Sequence, residues 1–258
     1  MPPQFKEARQ ARILEEIRKQ GGVAVDELSR QCGVSEVTIR RDLRELSAQG
    51  LLRRAHGGAL LSPVSTPEPP VIQRMATGHP WKEAIGRAAA ALVANGESVF
   101  VGSGSTTAYV ARHLTDHQGV TVVTNALNVA SELAAAQGVA VVVTGGMMRP
   151  AELSLIGHIT EQALREVRVD KVIIGMRAIS LEAGLTNDYL AEVMTDRTIL
   201  GMAPTLILVA DHTKLGQVAS AYVAPLERVT TLVIDSGIAP SSLAALRQLG
   251  IHVVVAEA

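Results

Sequence analysis

The 258-residue sequence predicts an α/β protein in two parts, an N-terminal winged helix-turn-helix joined to a larger, mostly parallel α/β unit. Three observations carry that prediction. Residues 1–61 hold short segments of helical period followed by an apolar stretch folded about His56-Gly57-Gly58. A polar, proline-rich run, SPVSTPEPP, follows and has no period of either kind. Beyond it, compact runs rich in β-branched residues alternate with helical segments. The organisation is therefore 1–61, a linker at 62–72, and 73–258.

In order, Phe5 to Gln20 reads as a leading helix with Ala11, Ile13, Leu14 and Ile17 on its apolar stripe, ended by Gly21-Gly22. Val23 to Val25 is a short apolar lead-in. Asp26 to Cys32 forms the second helix with Leu28 inward, and Gly33 supplies the turn before the third. The third helix begins after Ser35, a residue suited to capping its N-terminus. At roughly 100° per residue, Ile39, Leu43 and Leu46 share one stripe and form its buried face. The opposite side carries Val37, Arg41 and Arg44, flanked by Thr38 and Arg40. Arginine forks onto guanine or phosphate, threonine bonds to either, and a small apolar side chain touches a thymine methyl, so this face suits a major groove. The same helix also fits a simpler role, with Arg40, Arg41 and Arg44 solvated or paired to Asp42 and Glu45. After Gly50, LLRRAHGGALL reads as a β-hairpin wing carrying Arg53, Arg54 and His56.

Composition limits the function classes. A hydrophobic content of 47% is ample for a packed core. The net charge of -1 conceals an asymmetry, because residues 1–60 hold 11 Lys and Arg against 8 Asp and Glu. The basic excess thus belongs to the small unit. Cys32 has no partner cysteine, no Cys and His cluster has zinc-site spacing, and the charged opening lacks the apolar core of a signal peptide. No apolar run is long enough to span a membrane. The expectation is a cytoplasmic protein without a metal.

In the larger unit, Trp81 to Ala94 reads as an alanine-rich helix. The strands are Ser98 to Val101, Val120 to Val123, Val139 to Val143, Lys171 to Ile174, Thr205 to Val209 and Thr231 to Ile234, each with the pattern of a strand buried on both faces. Ala108 to Leu114 and Leu127 to Ala136 are intervening helices, and Ser241 to Leu249 with Ile251 to Val255 closes the chain. Ligands of parallel α/β sheets sit at the carboxyl ends of strands, so the loops there are the candidate site. The first is GSGSTT, comprising Gly102, Ser103, Gly104, Ser105, Thr106 and Thr107, between a strand and a helix. Its glycines, hydroxyls and helix N-terminus suit a phosphate, although a plain glycine turn with a Ser/Thr cap has the same composition. Neither the P-loop pattern nor G-x-G-x-x-G is present, which disfavours a nucleotide cofactor.

Other strand ends add Asn125, Gly145-Gly146 with Arg149, Arg177, and Asp211 with Lys214. Asn125 suits sugar hydroxyls, the arginines suit phosphate or carboxylate, and Lys214 supplies a point charge. Singly, each has an ordinary role: Asn125 as a helix N-cap, the arginines as surface residues, and Asp211 with Lys214 as a solvated turn.

The segment ELSRQCGVSEVTIRRDLRELSAQGLLRRAHGGA resembles the N-terminal signature of the DeoR family of bacterial transcriptional regulators. SGSTT, VVTNALNVA, TGGMMRP, LIGH, DKVIIG and VADHTKLG are similar, in order and spacing, to that family's C-terminal sensor domain. The resemblance implies a ribose-5-phosphate-isomerase-like sensor fold, operator DNA and a phosphorylated sugar as partners, and a homo-oligomer, dimer or tetramer. It places the effector phosphate near Ser103 to Thr107 and the sugar near Asn125, Gly145-Gly146, Asp211 and Lys214. Many family members carry an acid where this chain has Gly102, and a different loop where it reads GMRAIS. Loss of an acid and gain of Arg177 imply an effector with a second acidic group. The function expected is a sequence-specific regulator, a repressor of a carbohydrate operon. The alternative is a sugar-phosphate isomerase, which needs a base over the sugar carbon, and Asp211 is the main acid left to supply one.

Overall fold

The computed structural model describes residues 6, 9, 10, 12, 13, 16, 17, 22–48, 52–55, 58–61, 68–76 and 80–257, with backbone alone at 22, 47, 48, 52–55 and 58–61. The remainder of the expected leading helix, His56, His79 and linker residues 62–67 lie outside the described residues. The chain divides into two compact units, Met1–Pro67 and Glu68–Ala258.

In the smaller unit, the described residues before position 18 are helical, and Ile13 and Ile17 are fully buried. Helix α1 spans Val25–Cys32 and ends at Gly33, whose φ of 65° places it in the left-handed region that glycine adopts without a Cβ penalty. Ser29 Oγ donates to the Val34 carbonyl at 2.6 Å and ties the turn to α1. Helix α2 spans Glu36–Ala48, and its Thr38 N–H donates to Ser35 Oγ at 3.3 Å. Ile39, Leu43 and Leu46 pack against Ile13, Ile17 and Leu28. The lead-in segment is strand β1 (Gly22–Ala24), which pairs with the wing strand β3 (Gly58–Leu61), itself paired with β2 (Leu52–Ala55). All three strands are antiparallel.

Asp42 is not the surface partner of the α2 arginines that the sequence allows. Its side chain is buried and held in a fork by Arg9, Nε to Oδ2 at 2.6 Å and Nη2 to Oδ1 at 3.2 Å. The pair ties the leading helix to α2 and leaves the exposed arginines without this carboxylate. Asp42→Asn removes the charge opposite a mostly buried guanidinium, and chemical denaturation of the variant is expected to show a loss of about 2 kcal/mol. Cys32 is buried, and burial raises its thiol pKa, so it packs as a small apolar residue.

In the larger unit, the described residues include a seven-stranded parallel sheet in the order β15-β14-β12-β9-β4-β5-β6. These strands are β4 Ser98–Val101, β5 Val120–Thr124, β6 Val139–Val143, β9 Lys171–Ile174, β12 Thr205–Ala210, β14 Thr231–Asp235 and β15 His252–Ala256. Successive residues serve opposite faces. Phe100, Val172, Ile174, Leu206 and Leu208 join one core, whereas Val99, Val101, Ile173, Ile207 and Val209 join the other. The second core is covered by helices α4 (Pro80–Ala90), α5 (Ser105–Leu114) and α6 (Leu127–Leu133). The first is covered partly by α7 (His158–Glu166), α8 (Leu190–Leu200) and α9 (Pro240–Gln248). Gly86 permits close approach of α4 to α5, because a Cβ there would stand 2.7 Å from the Tyr109 carbonyl carbon.

Two expectations are corrected here. Strand β6 is an edge strand with Val142 and Val143 exposed, so it is not buried on both faces; its free side has no neighbour among the described residues. Val71 and Ile72 stand in helix α3 (Val71–Ala76), not in the linker, because Val71 is fully buried and its N–H donates to the Ala151 carbonyl at 2.7 Å. Further elements that the strand pattern did not reveal are the hairpin β7 (Met147–Arg149) and β8 (Ser154–Ile156), and the antiparallel set β10 (Ala178–Ser180), β11 (Gly184–Asn187) and β13 (Ala221–Ala224).

Candidate functional site

The chain leaves β4 toward β5 and β6 on one side, then returns to place β9 on the other side of β4 and continues outward through β12, β14 and β15. The strand order therefore reverses between β4 and β9, and a crevice opens at the carboxyl ends of those two strands. The crevice is there. A small cleft, open to solvent, is lined by Gly102, Ser103, Asn125, Ile174, Gly175, Asp196 and Ile199.

Gly102 and Gly104 shape the loop. A Cβ on Gly102 would meet Ile174 Cγ2 at 3.0 Å, and Gly104 has φ 138°. Ser105, Thr106 and Thr107 are buried at the start of α5, and the Thr107 hydroxyl donates back to the Gly104 carbonyl at 3.1 Å. Among the described residues no side chain caps this helix, so its first N–H groups remain oriented for an anion. Asn125 is not an N-cap. Its Nδ2 donates to the Leu155 carbonyl at 3.0 Å, and its buried Oδ1 has no partner among the described residues. Asn128 repeats the pattern, with Nδ2 donating to Gly104 O at 3.1 Å and a buried Oδ1 that has no partner among the described residues. A buried acceptor left unpaired costs roughly 1–3 kcal/mol, which a ligand hydroxyl at Asn125 would recover.

Beyond the cleft runs a chain of charges. Arg149 pairs with Glu192 and stands 3.6 Å from Asp188, with its guanidinium stacked on Tyr189 at 4.3 Å. Arg177 donates to Asp188 at 3.0 Å and to Glu68 at 3.1 Å, and Lys214 also pairs with Glu68. Neither arginine is a surface residue, and Lys214 is not in a solvated turn, since their side chains are 16%, 12% and 17% exposed. Burial lowers the Lys214 pKa to about 8. Glu192 accepts from Ser154 Oγ at 2.7 Å, and Asn187 Nδ2 bridges toward Asp196 at 2.8 Å. Burial first, then the Glu192 charge, raises the Asp196 pKa and favours its neutral acid on the cleft wall. Asp211 accepts from the Thr213 N–H at 3.1 Å and caps a short turn, so its carboxylate is engaged locally. Gly145 and Gly146 do not line the cleft; the Gly145 carbonyl accepts from Thr160 Oγ1 at 2.7 Å. Lys82 is buried against the Arg74 carbonyl at 3.1 Å, and burial lowers its pKa.

On the smaller unit, Val37 is 76% exposed, the Arg41 side chain is 80% exposed, and Arg44 is exposed on the same helix. Arg40 pairs with Glu36 at 3.2 Å and Arg41 with Glu45 at 3.5 Å, both one turn apart. Exposed pairs of this kind contribute about 0.3–0.5 kcal/mol, too little to compete with a phosphate or a guanine edge. The side chains of Arg53 and Arg54 lie outside the described residues, although their backbone forms β2.

Residues 9–63 match the DeoR-like helix-turn-helix domain, and residues 79–236 match the DeoR C terminal sensor domain. The chain belongs to the DeoR family. This DeoR-family regulator is 34% identical to the glycerol-3-phosphate regulon repressor of Escherichia coli, over 95% of its own length and 96% of the relative. It is 32% identical to the transcriptional repressor AccR of Agrobacterium fabrum, over 89% of each chain. Among solved structures it is similar to ribose 5-phosphate isomerase from Plasmodium falciparum, at 16% identity over 52% of each chain, with a TM-score of 0.38. The relatives are repressors, and the regulator is a DNA-binding transcription factor with a sensor domain. Among the described residues no helix is long and apolar enough to cross a membrane, and no group of three or more His, Cys, Asp or Glu could hold a metal.

Sequence reasoning passed over Asp196 on the cleft wall, Asn128 against the Gly104 carbonyl, and, in the charge network beyond the cleft, Asp188, Glu192, Glu68 and Arg74. Asn128 sits one turn beyond Asn125 within the VVTNALNVA segment, and that spacing was the available signal.

Proposed function

We propose that this DeoR-family regulator is a cytoplasmic repressor of a carbohydrate operon whose operator affinity is set by a phosphorylated sugar or a related anionic metabolite. The effector phosphate lies against Ser103 to Thr107, and a sugar hydroxyl donates to Asn125. What carries this reading is Asn125 Oδ1, unpaired among the described residues, beside a helix N-terminus that none of their side chains caps, at the switch point of the sheet. A glycerol-3-phosphate regulon repressor among the relatives supports a small phosphorylated effector. Helix α2 enters the major groove, with Ser35, Val37, Thr38, Arg40, Arg41 and Arg44 facing DNA and the wing residues Arg53, Arg54 and His56 on the backbone. The regulator acts as a homo-oligomer. Exposed Val142 and Val143 on the edge strand, with Met147 and Met148 on the next hairpin, offer an apolar surface for a second copy.

The test is selection of genomic fragments by the purified regulator, with and without a panel of sugar phosphates. Recovery of one discrete upstream region, released by one compound, is the expected result. Effector coupling of roughly 1–3 kcal/mol, about 5- to 150-fold in DNA affinity, is the ordinary size of such a switch. Fragments that are never enriched at any salt would remove the DNA-binding half of the proposal.

Titration supplies a second expectation. Lys214 is charged below about pH 8 and neutral above it, so an anionic effector loses a cation as pH rises. Glu68 faces the ammonium, with Arg74 and Arg177 on the same carboxylate. Effector affinity is expected to fall about tenfold from pH 7 to pH 9, and to stay level in Lys214→Arg. Stability moves oppositely. The folded pKa lies below the ordinary 10.5, so the unfolded chain holds more protons between about 8 and 10.5, and this group adds stability as pH rises through that window. Calorimetric binding and thermal melts across the range separate the two signs.

A further inference from the structure

Glu68 belongs to the proline-rich stretch that composition marks as a spacer, yet its carboxylate is buried among three cations. Arg74 Nη1 approaches Glu68 Oε2 at 2.9 Å, Arg177 Nη1 approaches Oε1 at 3.1 Å, and Lys214 Nζ shares Oε1. All four side chains are between 12% and 17% exposed. These groups come from three separate parts of the sensor unit: α3, the loop after β9, and the turn after β12. A spacer carboxylate has no need of such a site. Exposed ion pairs contribute little, whereas three converging cations with little access to water form a receptor for an anion.

The neighbouring charges define what the receptor lacks when Glu68 is absent. Arg74 also pairs with Glu152, and Arg177 also pairs with Asp188. With Glu68 in place, Arg74, Arg177 and Lys214 converge on its carboxylate, while Arg74 and Arg177 also hold Glu152 and Asp188. Withdrawal of Glu68 takes one carboxylate from among three cations in a place where an uncompensated charge is costly. A phosphate or carboxylate group can take its place. The site also lies close to the cleft along the chain, since Gly175 lines the cleft and Arg177 stands two residues further on.

We infer that Arg74, Arg177 and Lys214 form a second anion subsite for the effector, and that Glu68 fills this subsite as an internal stand-in until a second phosphate or carboxylate group displaces it. The inference rests on the proposed effector cleft and specifies its ligand class as a metabolite with two anionic groups. It also gives occupancy a consequence. Glu68 is the first residue of the sensor unit after the segment that leads from the DNA-binding unit, and Arg74 Nε holds the next carbonyl, Pro69 O, at 2.9 Å. An effector that expels Glu68 releases the first residue of the sensor unit from its anchor.

The experiment measures binding of inorganic phosphate to the full-length chain by calorimetry at low ionic strength, with melting curves confirming that each variant folds. In wild type the carboxylate competes for the subsite, and apparent affinity is reduced by the fraction of time the subsite is filled. Glu68→Gln keeps the side-chain volume and removes the charge. It is expected to bind phosphate at least about tenfold more tightly than wild type, and the gain should vanish in the Glu68→Gln, Arg177→Ala double variant. Equal phosphate affinity in wild type and Glu68→Gln overturns the stand-in. If that shared binding is lost on Ser103→Asp, which places a negative charge in the loop, the effector cleft survives and only the second subsite falls. Absence of phosphate binding from every folded variant overturns both.

Discussion

Replacing Gly146 with alanine is expected to destabilise the sensor unit by about 3 kcal/mol or more, a larger loss than substitution elsewhere in the strand-end loops. Two independent costs add. The backbone at Gly146 has φ 121°, a conformation that an L-residue with a Cβ adopts only under strain of roughly 1–3 kcal/mol. A Cβ there would also fall far inside contact distance of Thr160 Oγ1 and 3.0 Å from the Ile156 carbonyl oxygen. Thr160 cannot simply move away, because its hydroxyl is fully buried and donates to the Gly145 carbonyl at 2.7 Å. For a unit of this size the loss corresponds to a fall in melting temperature of roughly 6–12 °C. Gly146→Ala in a Thr160→Ala background separates the terms: the clash is relieved while the backbone strain stays, so part of the loss should return. A wild-type melt for the single variant would mean that the turn is wrongly described. The glycine pair therefore serves the fold, and the hairpin that follows it carries Arg149 into the charge network.

How much of this was legible in the sequence depended on whether the signal was local. The parallel strands were, because Val172, Ile173 and Ile174 each bury one face of a β-branched run and no polar residue interrupts it. The α2 stripe of Ile39, Leu43 and Leu46 was legible for the same reason. Helix α8 was not. It buries Glu192 and Thr195 beside Val193 and Ile199, so its inward face alternates polar and apolar residues and shows no helical stripe. The strands β10, β11 and β13 are three or four residues long, shorter than the window in which period 2 can be distinguished from chance. Long-range pairing was hidden altogether. Arg9 and Asp42 are 33 residues apart, and Arg177 and Glu68 are 109 apart, so neither partner marks the other. Composition misled at Glu68, where three flanking prolines describe a spacer and the fold makes an anchor. In the candidate site, the loop from Gly102 to Thr107 could be located from its glycines, whereas the neutral acid at Asp196 arises from burial and from Glu192, which no local motif encodes.

Arg41→Ala is expected to weaken operator binding ten- to a hundredfold while leaving binding to random DNA within a few-fold of wild type. The argument begins with what Arg41 is not doing. Its side chain is 80% exposed, and its one-turn contact to Glu45 at 3.5 Å competes with Lys6, which holds the same carboxylate at 2.6 Å. Removing Arg41 therefore costs the fold at most about 0.5 kcal/mol, and the variant should melt with wild type. A base-edge fork lost from a groove costs about 1–3 kcal/mol of discrimination, which is the expected change in operator affinity. Val37, 76% exposed one turn earlier on the same face, is the apolar neighbour that such a contact requires for a thymine methyl. Arg54→Ala in the wing provides the contrast: if it contacts phosphate, both operator and random DNA weaken together and the salt slope falls by about 1. Fluorescence anisotropy with operator and scrambled duplexes at several salt concentrations measures both variants. Should Arg41→Ala lose affinity for the two duplexes equally, Arg41 is a phosphate contact and the base-reading face of α2 must be rotated toward Thr38 and Arg40.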